Sequence, residues 1–285
     1  LQGKFAIFNG TLFNTQEGWL QANRSFHYGD GLFETIRVFN GKAVFLGYHL
    51  SRLTEGMKIL QLQIPQYFTT EYFQNKITEL IEKNNIKEGA RIRLTVFRNN
   101  GGYYSPTENE VSYTLESNAL PNLYFSLNED GLIVDLYTDI KKQINKLSIY
   151  KTCNSLLYIM AALWAKQNKL TDALVLNDKG NIIESSHSNI FVVSNGVLYT
   201  PSLTDGCLAG IQRMQVINLA LQNKIKVYEC SITPQNLLVA DEVFLSNAIQ
   251  GIQWIQSYRQ KHYVNTVTKN ILALMNDFIK QTIEK

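Results

Sequence analysis

From Phe5 to Phe13 apolar residues fall in two short runs that break at Asn9-Gly10. That dipeptide favours the left-handed turn of a tight hairpin, so two short strands are predicted there. Gly29-Asp30-Gly31 predicts a tight turn, and Leu32 to Phe39 a strand that Asn40-Gly41 folds back onto Lys42 to Phe45. The period then changes. Leu50, Leu53, Met57 and Leu60 recur at helical spacing, which predicts a helix over Tyr48 to Leu62. A second helix is predicted over Thr69 to Asn84, capped by Thr69 or Thr70 with Glu71 in its first turn. Arg91 to Phe97 alternates as a strand does, and Val111 to Leu115 reads as another.

Periodicity is lost from Ser117 to Asp130, a stretch of Asn, Pro, Ser and Asp. We place a linker at 119–130, between a small N-terminal α/β domain at 1–118 and a larger C-terminal domain at 131–285. In the second domain Leu132 to Tyr137 is a predicted strand, and Asn154 to Gln167 an apolar, Ala-rich helix expected to be buried on most sides. Short strands are predicted at Ala173 to Leu176, Ile182-Ile183, Ile190 to Val193, Val197 to Tyr199, Ile225 to Glu229 and Glu242 to Ser246. Helices are predicted from Ile211 to Gln222, just after Gly210, and from Val264 to Ile283. Strand and helix do not alternate strictly, so the class is α+β and not a doubly wound parallel sheet.

Composition narrows the function classes. Among 285 residues, 45% are hydrophobic, enough for a sizeable core, and only 18% are charged. Lys plus Arg is 27 against 24 for Asp plus Glu, and no basic run exceeds Lys141-Lys142. No nucleic-acid partner is expected from that balance. The longest apolar stretch, Leu156 to Ala165, is far short of the ~20 residues a membrane span needs, so no membrane is expected. Leu1 to Asn9 is too short for a signal peptide and carries Lys4. Cys153, Cys207 and Cys230 form no CxxC and are expected as buried thiols in a reducing cytoplasm. His27, His49, His187 and His262 are scattered without ligand spacing, so no metal is expected. Walker A, GxGxxG, HExxH and GxSxG patterns are absent from the sequence.

Four features suit a phosphate-bearing cofactor. Lys151 lies beside Leu147, Ile149 and Leu156; desolvation there would free a neutral amine for a Schiff base. Glu184 precedes Ser185-Ser186-His187-Ser188-Asn189 and could pair with a protonated ring nitrogen. Gly206 and Gly210 flank Cys207-Leu208-Ala209 ahead of a helix whose first N–H groups could hold a phosphate. Arg52 lies one turn after His49 and could clamp that phosphate.

In order along the chain, these pieces resemble the fold-type IV pyridoxal-phosphate enzymes. That family contains branched-chain aminotransferases, D-amino acid aminotransferases and aminodeoxychorismate lyases. The likeness runs over roughly residues 5–258. It is carried by His27-Tyr28-Gly29-Asp30-Gly31-Leu32-Phe33-Glu34-Thr35-Ile36-Arg37, His49-Leu50-Ser51-Arg52-Leu53 and Lys151 with Asn154. Glu184 with Asn189-Ile190-Phe191, Gly210-Ile211-Gln212-Arg213, Ala240-Asp241-Glu242-Val243-Phe244 and Ser246-Asn247-Ala248 complete it. The resemblance implies pyridoxal 5'-phosphate as cofactor, a small-molecule amine as substrate and a homodimer. It gives Lys151 the Schiff base and the proton shuttle, Arg52 the phosphate and Glu184 the pyridine nitrogen. Asn189 and Gly210 fall in cofactor-binding motifs; the backbone of Ile211 and Gln212 would hold phosphate, with Asn247 or Ala248 adding a contact. Tyr28 and Phe33 would line the substrate side.

Two features resemble the lyases. Lys151 stands three residues before Asn154, as in lyases and D-amino acid aminotransferases. Arg98-Asn99-Asn100-Gly101-Gly102-Tyr103-Tyr104-Ser105-Pro106 is similar to a lyase loop, though Tyr103 stands where lyases often have Arg. Arg91, Arg93 or Arg98 would supply the cation for the substrate acid. The resemblance thus implies an aminodeoxychorismate lyase. The alternatives are an aminotransferase for branched-chain or D-amino acids with a 2-oxo acid acceptor, and, more remotely, a non-catalytic pyridoxal-phosphate-binding protein.

Overall fold

Asn9 and Gly10 both take positive φ, 46° and 85°, and fold β1 (Gln2–Phe8) onto β2 (Thr11–Asn14) as the sequence predicts. The computed structural model describes residues 2–14 and 24–283. The chain divides into two units: residues up to Tyr124 with Tyr150–Asn154, and Phe125–Ile149 with Ser155 onward.

In the first unit α1 (Arg24–Tyr28) leads into β3 (Gly31–Phe39), which turns at Asn40-Gly41 into β4 (Lys42–Ala43). Then come α2 (Leu46–Ile59), α3 (Thr70–Lys83), β5 (Gly89–Arg98) and β6 (Val111–Leu120). Thr69 caps α3 by accepting from the Tyr72 N–H at 3.1 Å. Among the described residues the strands form one antiparallel sheet, β2-β1-β6-β5-β3-β4. One face buries Leu32, Ile36, Ile92, Leu94 and Val96 against Leu50, Leu53 and Met57 of α2 and Phe73, Ile77 and Leu80 of α3. Because side chains alternate along a strand, Phe33, Thr35, Arg91, Arg93 and Thr95 take the other face, half-buried.

The expected linker begins too early. Residues 119 and 120 close β6, and Arg37 donates to the carbonyls of Asn122, Leu123 and Tyr124. The division falls after Tyr124. Lys151 groups with the first unit, not the second, because its segment pairs along β3. Phe33 N–H donates to Lys151 O, Cys153 N–H donates to Gly31 O, each at 2.9 Å, and Leu32 bridges Thr152.

The second unit holds β7 (Leu132–Lys142), α4 (Leu156–Gln167), β8 (Asp172–Asn177), β9 (Ile182–Ser185), β10 (Asn189–Ser194) and β11 (Val197–Thr200). It continues with α5 (Ile211–Gln222), β12 (Val227–Glu229), α6 (Pro234–Val239), β13 (Glu242–Asn247), β14 (Gly251–Tyr258), β15 (Lys261–His262) and α7 (Thr266–Ile283). The strand path β10-β13-β14-β7-β8-β9 closes on itself where Asn189 of β10 pairs with Glu184 of β9. Buried Glu242 caps α7, its two oxygens accepting from the N–H groups of Val267 and Thr268.

The expectation for the apolar helix is corrected. In α4 only Ala161 and Ala165 are buried, while Leu156 is 75% exposed and Ile159 50%. Leu163 and Met160 are exposed with them. Apolar sequence alone cannot separate a core helix from one that keeps its apolar face outward.

Candidate active site

The backbone pairing along β3 sets Lys151 over the outer sheet face of the first unit. Its Nζ lies 4.3 Å from the centroid of the Phe33 ring, and the Arg93 guanidinium carbon lies 3.9 Å from the same centroid. Two cations over one aromatic ring define a small electropositive patch with an apolar floor. Arg93 also donates to Thr95 Oγ1 at 3.2 Å, and Arg91 follows two residues along the same face. Asn154 is packed so closely on Gly29 that a Cβ there would come within 2.4 Å of its Oδ1. Gly29 also has φ +68°, so both space and backbone favour glycine.

Beneath the sheet face lies a buried trio. Glu34 of β3 points into the core and meets α2. Arg52 donates from Nε to Oε1 at 2.8 Å and from Nη2 to Oε2 at 2.5 Å, and His49 Nδ1 lies 2.7 Å from Oε2. Burial works against the charge on Glu34, yet the Arg52 charge and the His49 hydrogen bond outweigh it and hold the carboxyl down to about 2. Burial lowers His49, with the charges of Arg52 and Lys151 pushing the same way, so His49 serves as a neutral donor. Arg52 therefore stands on a fixed carboxylate, which sets its direction.

Glu184 sits inside β9, buried, at the seam where the strand path closes. Its Oε1 accepts from Lys142 Nζ and from the Tyr158 hydroxyl, each at 2.7 Å. Its Oε2 accepts from the Leu208 N–H at 2.8 Å. Asn189, opposite Glu184 in the register, donates from Nδ2 to Leu208 O at 2.9 Å. Asn189 thus clamps the loop that leads into α5. A Cβ on Gly210 would stand 1.9 Å from Asn189 Oδ1, so only glycine fits under the clamp.

Gly210 caps α5 with no side-chain hydrogen bond, and the first i−4 bond of the helix is Met214 N–H to Gly210 O at 3.0 Å. The N–H groups of Ile211, Gln212 and Arg213 precede it and have no acceptor within the helix. Gln212 is buried and its Nε2 has no hydrogen-bond partner. An uncapped helix start, a glycine that leaves no side chain in the way and an orphaned buried amide together fit an anion such as a phosphate. With Glu184 at hand for a cationic ring nitrogen, the residues of this unit fit pyridoxal phosphate.

The family model for amino-transferase class IV matches residues 31–258. The chain belongs to the class IV aminotransferases. It is a pyridoxal-phosphate-dependent enzyme of fold type IV. Three relatives frame it. A D-alanine aminotransferase of Bacillus licheniformis is 25% identical, with 97% of this chain and 98% of that one covered. A branched-chain-amino-acid aminotransferase of Pseudomonas aeruginosa is 30% identical over 77% and 73%. An aminodeoxychorismate lyase of Vibrio harveyi is 28% identical over 81% and 83%. Among solved structures, a branched-chain aminotransferase from Thermoproteus uzoniensis with norvaline is similar at a TM-score of 0.84. It is 27% identical, with 95% of this chain and 93% of that one covered.

Within this class IV enzyme the expected residues sort unevenly. Lys151, Phe33 and Arg93 come together, and Glu184, Asn189, Gly210, Ile211 and Gln212 come together. Two expectations change. Arg98 is buried and engaged with Asp30 at 2.9 Å, with Leu60 O at 2.7 Å and with Asn109, so it is a structural cation. The Asn247 side chain donates to Ser188 and Gln250 and accepts from the N–H groups of Ile249 and Gln250. Its amide is spent on the turn, which leaves the backbone at Ala248. Tyr28 leans on Tyr104 with ring centroids 5.6 Å apart, and Tyr103 is 83% exposed. Lys142, Tyr158 and the Glu34–His49 pair were missed. Lys142 figured only as half of a dibasic pair, and a lysine at a strand end carries no mark of its partner.

Proposed function

We propose that this enzyme is an aminodeoxychorismate lyase, converting 4-amino-4-deoxychorismate into 4-aminobenzoate and pyruvate. The observation that carries the reading is the pair Arg91 and Arg93 on one face of β5, with Arg93 over the Phe33 ring. Such a substrate has two carboxylates and an unsaturated ring, which two guanidinium groups and an aromatic floor suit. The Lys151–Asn154 spacing, shared by lyases and D-amino acid aminotransferases, speaks only against a branched-chain enzyme.

In this mechanism Lys151 binds the cofactor and then takes the proton from the carbon that bears the substrate amine. In the second unit the N–H groups of Ile211 and Gln212 would hold a phosphate and Glu184 a cationic ring nitrogen; in the first unit Arg52, aimed by Glu34, would offer a cation for phosphate. Pyridoxal phosphate, when bound, supplies the sink for the electron pair. Arg91 and Arg93 hold the substrate acids while the enolpyruvyl group leaves as pyruvate and the ring becomes aromatic.

The second reading, an aminotransferase, is favoured by the D-alanine and branched-chain relatives. One assay separates the two. The holoenzyme is given 4-amino-4-deoxychorismate with no 2-oxo acid, and 4-aminobenzoate is followed over many turnovers. Steady release is expected; a folded, yellow enzyme that releases none, yet consumes amino acid when a 2-oxo acid is added, is an aminotransferase.

The same reading makes the enzyme a homodimer, for which the outward Leu156, Ile159, Met160 and Leu163 of α4 provide an apolar surface. Light scattering is expected to give twice the 32.6 kDa of one chain. A monomer mass at micromolar concentration contradicts this.

A further inference from the structure

We infer that Lys142 is the positioning residue that keeps Glu184 ionised and aimed before the cofactor arrives, with Tyr158 as its second brace. The inference rests on the reading that Glu184 meets the ring nitrogen of the cofactor. An ionised carboxylate has about four acceptor positions, two on each oxygen. Lys142 and Tyr158 fill both positions on Oε1, each at 2.7 Å, and the Leu208 N–H fills one on Oε2. One position is left, on Oε2. The three protein donors therefore decide which oxygen serves a fourth donor and from which side.

Charge is settled in the same place. Glu184 is buried, and a buried carboxylate without a cation takes up a proton. Among the described residues, Lys142 is the cation within ion-pair distance of Glu184. Lys142 is itself nearly buried and fixed by a second bond, to Ser148 O at 2.9 Å. The other groups facing Glu184 are neutral. From α4 comes Tyr158, whose hydroxyl is pushed well above its usual range by burial and by Glu184. From the loop before α5 comes Cys207, whose thiol burial pushes up to about 12. From β8 and β10 the register places Val175 and Asn189 opposite. A carboxylate that stays charged through the neutral range can hold a ring nitrogen in its protonated form; a carboxyl that has taken up a proton cannot.

The test is a titration of pyridoxal 5'-phosphate into the full-length apoprotein, followed by visible absorbance between pH 6.0 and 8.5. In Lys142→Met the Glu184 carboxyl is expected to take up a proton in this range. Its cofactor affinity should fall at least ~10-fold more than the wild type's between pH 8.5 and pH 6.0, since each pH unit below a raised pKa costs a factor of about ten. Lys142→Arg should restore the wild-type profile. Tyr158→Phe keeps the cation and should weaken binding without adding slope. Glu184→Gln should bind weakly at every pH. If Glu184→Gln is weak while Lys142→Met follows the wild type throughout, the role of Lys142 is overturned. If Glu184→Gln also follows the wild type, the contact between Glu184 and the cofactor falls instead. Should Lys142→Met not fold, the double variant Lys142→Met/Glu184→Gln leaves no stranded charge. It is expected to bind no more weakly than Glu184→Gln alone, and a further loss overturns the proposal.

Discussion

Lys151→Ala is expected to lower turnover by at least ~10⁴-fold, the loss that follows when a covalent anchor and a positioned base are removed together. The fold should survive, because the contacts that tie this segment to β3 are made by backbone atoms. Phe33 N–H reaches Lys151 O and Cys153 N–H reaches Gly31 O whatever side chain residue 151 carries. Among the side chain's contacts is the Phe33 ring, 4.3 Å from Nζ to the centroid. The variant should therefore melt as the wild type does and lose the visible colour of the lysine-bound cofactor. Steady-state turnover near that of the wild type would remove Lys151 from the mechanism. A loss of turnover that came with a collapsed melting curve would show a folding defect instead.

The second large effect is expected at Glu34. Glu34→Gln should destabilise the protein by about 3–5 kcal/mol, the cost of removing one partner of a buried ion pair. The nearly buried Arg52 would then face a neutral amide in place of the carboxylate that takes two of its N–H groups. The pH dependence carries the same signature. The folded carboxyl sits at about 2, below its ordinary 4.5. Its stabilisation is therefore fully present above about pH 4.5 and is lost as pH falls from there toward 2. His49 acts in the same direction, since burial lowers it and the unfolded chain takes its proton more readily in acid. Urea midpoints measured from pH 7 down to pH 3 should fall steeply for the wild type and less steeply for Glu34→Gln. Equal midpoints at neutral pH would contradict the role assigned to the trio.

Local chemistry made much of the fold legible. Asn9-Gly10 and Asn40-Gly41 announce their hairpins because a left-handed turn suits few residue pairs. The stripes on α2 and α3 announce their helices because each packs one face on the first sheet. What stayed hidden depends on contacts far apart in sequence. The seam at Glu184 and Asn189 joins strands whose pairing no local period reports. Short elements such as α1 and α6 offer too few residues for a period to show. The outward face of α4 reads like a core helix because apolar composition is the same in both settings.

The site divides along the same line. Lys151, Glu184 and the start of α5 stand out as candidates in the sequence because their residue types and order suit the chemistry. The placement of Lys151 in the first unit does not, because it depends on a strand pairing with β3. Arg98 looked as available as Arg93 in sequence, and only the Asp30 carboxylate beneath it shows that its charge is already used. Lys142 carries no local mark of its role, because its ion pair with Glu184 spans 42 positions of chain.

The central claim is that this class IV enzyme carries its cofactor on Lys151. The direct measurement is to reduce the holoprotein with borohydride, digest it and locate the phosphopyridoxyl group by mass spectrometry. The expected result is one modified peptide, with the group on Lys151 and none on Lys141, Lys142 or Lys146. A group found on another lysine, with Lys151 unmodified in a fully loaded protein, would contradict it.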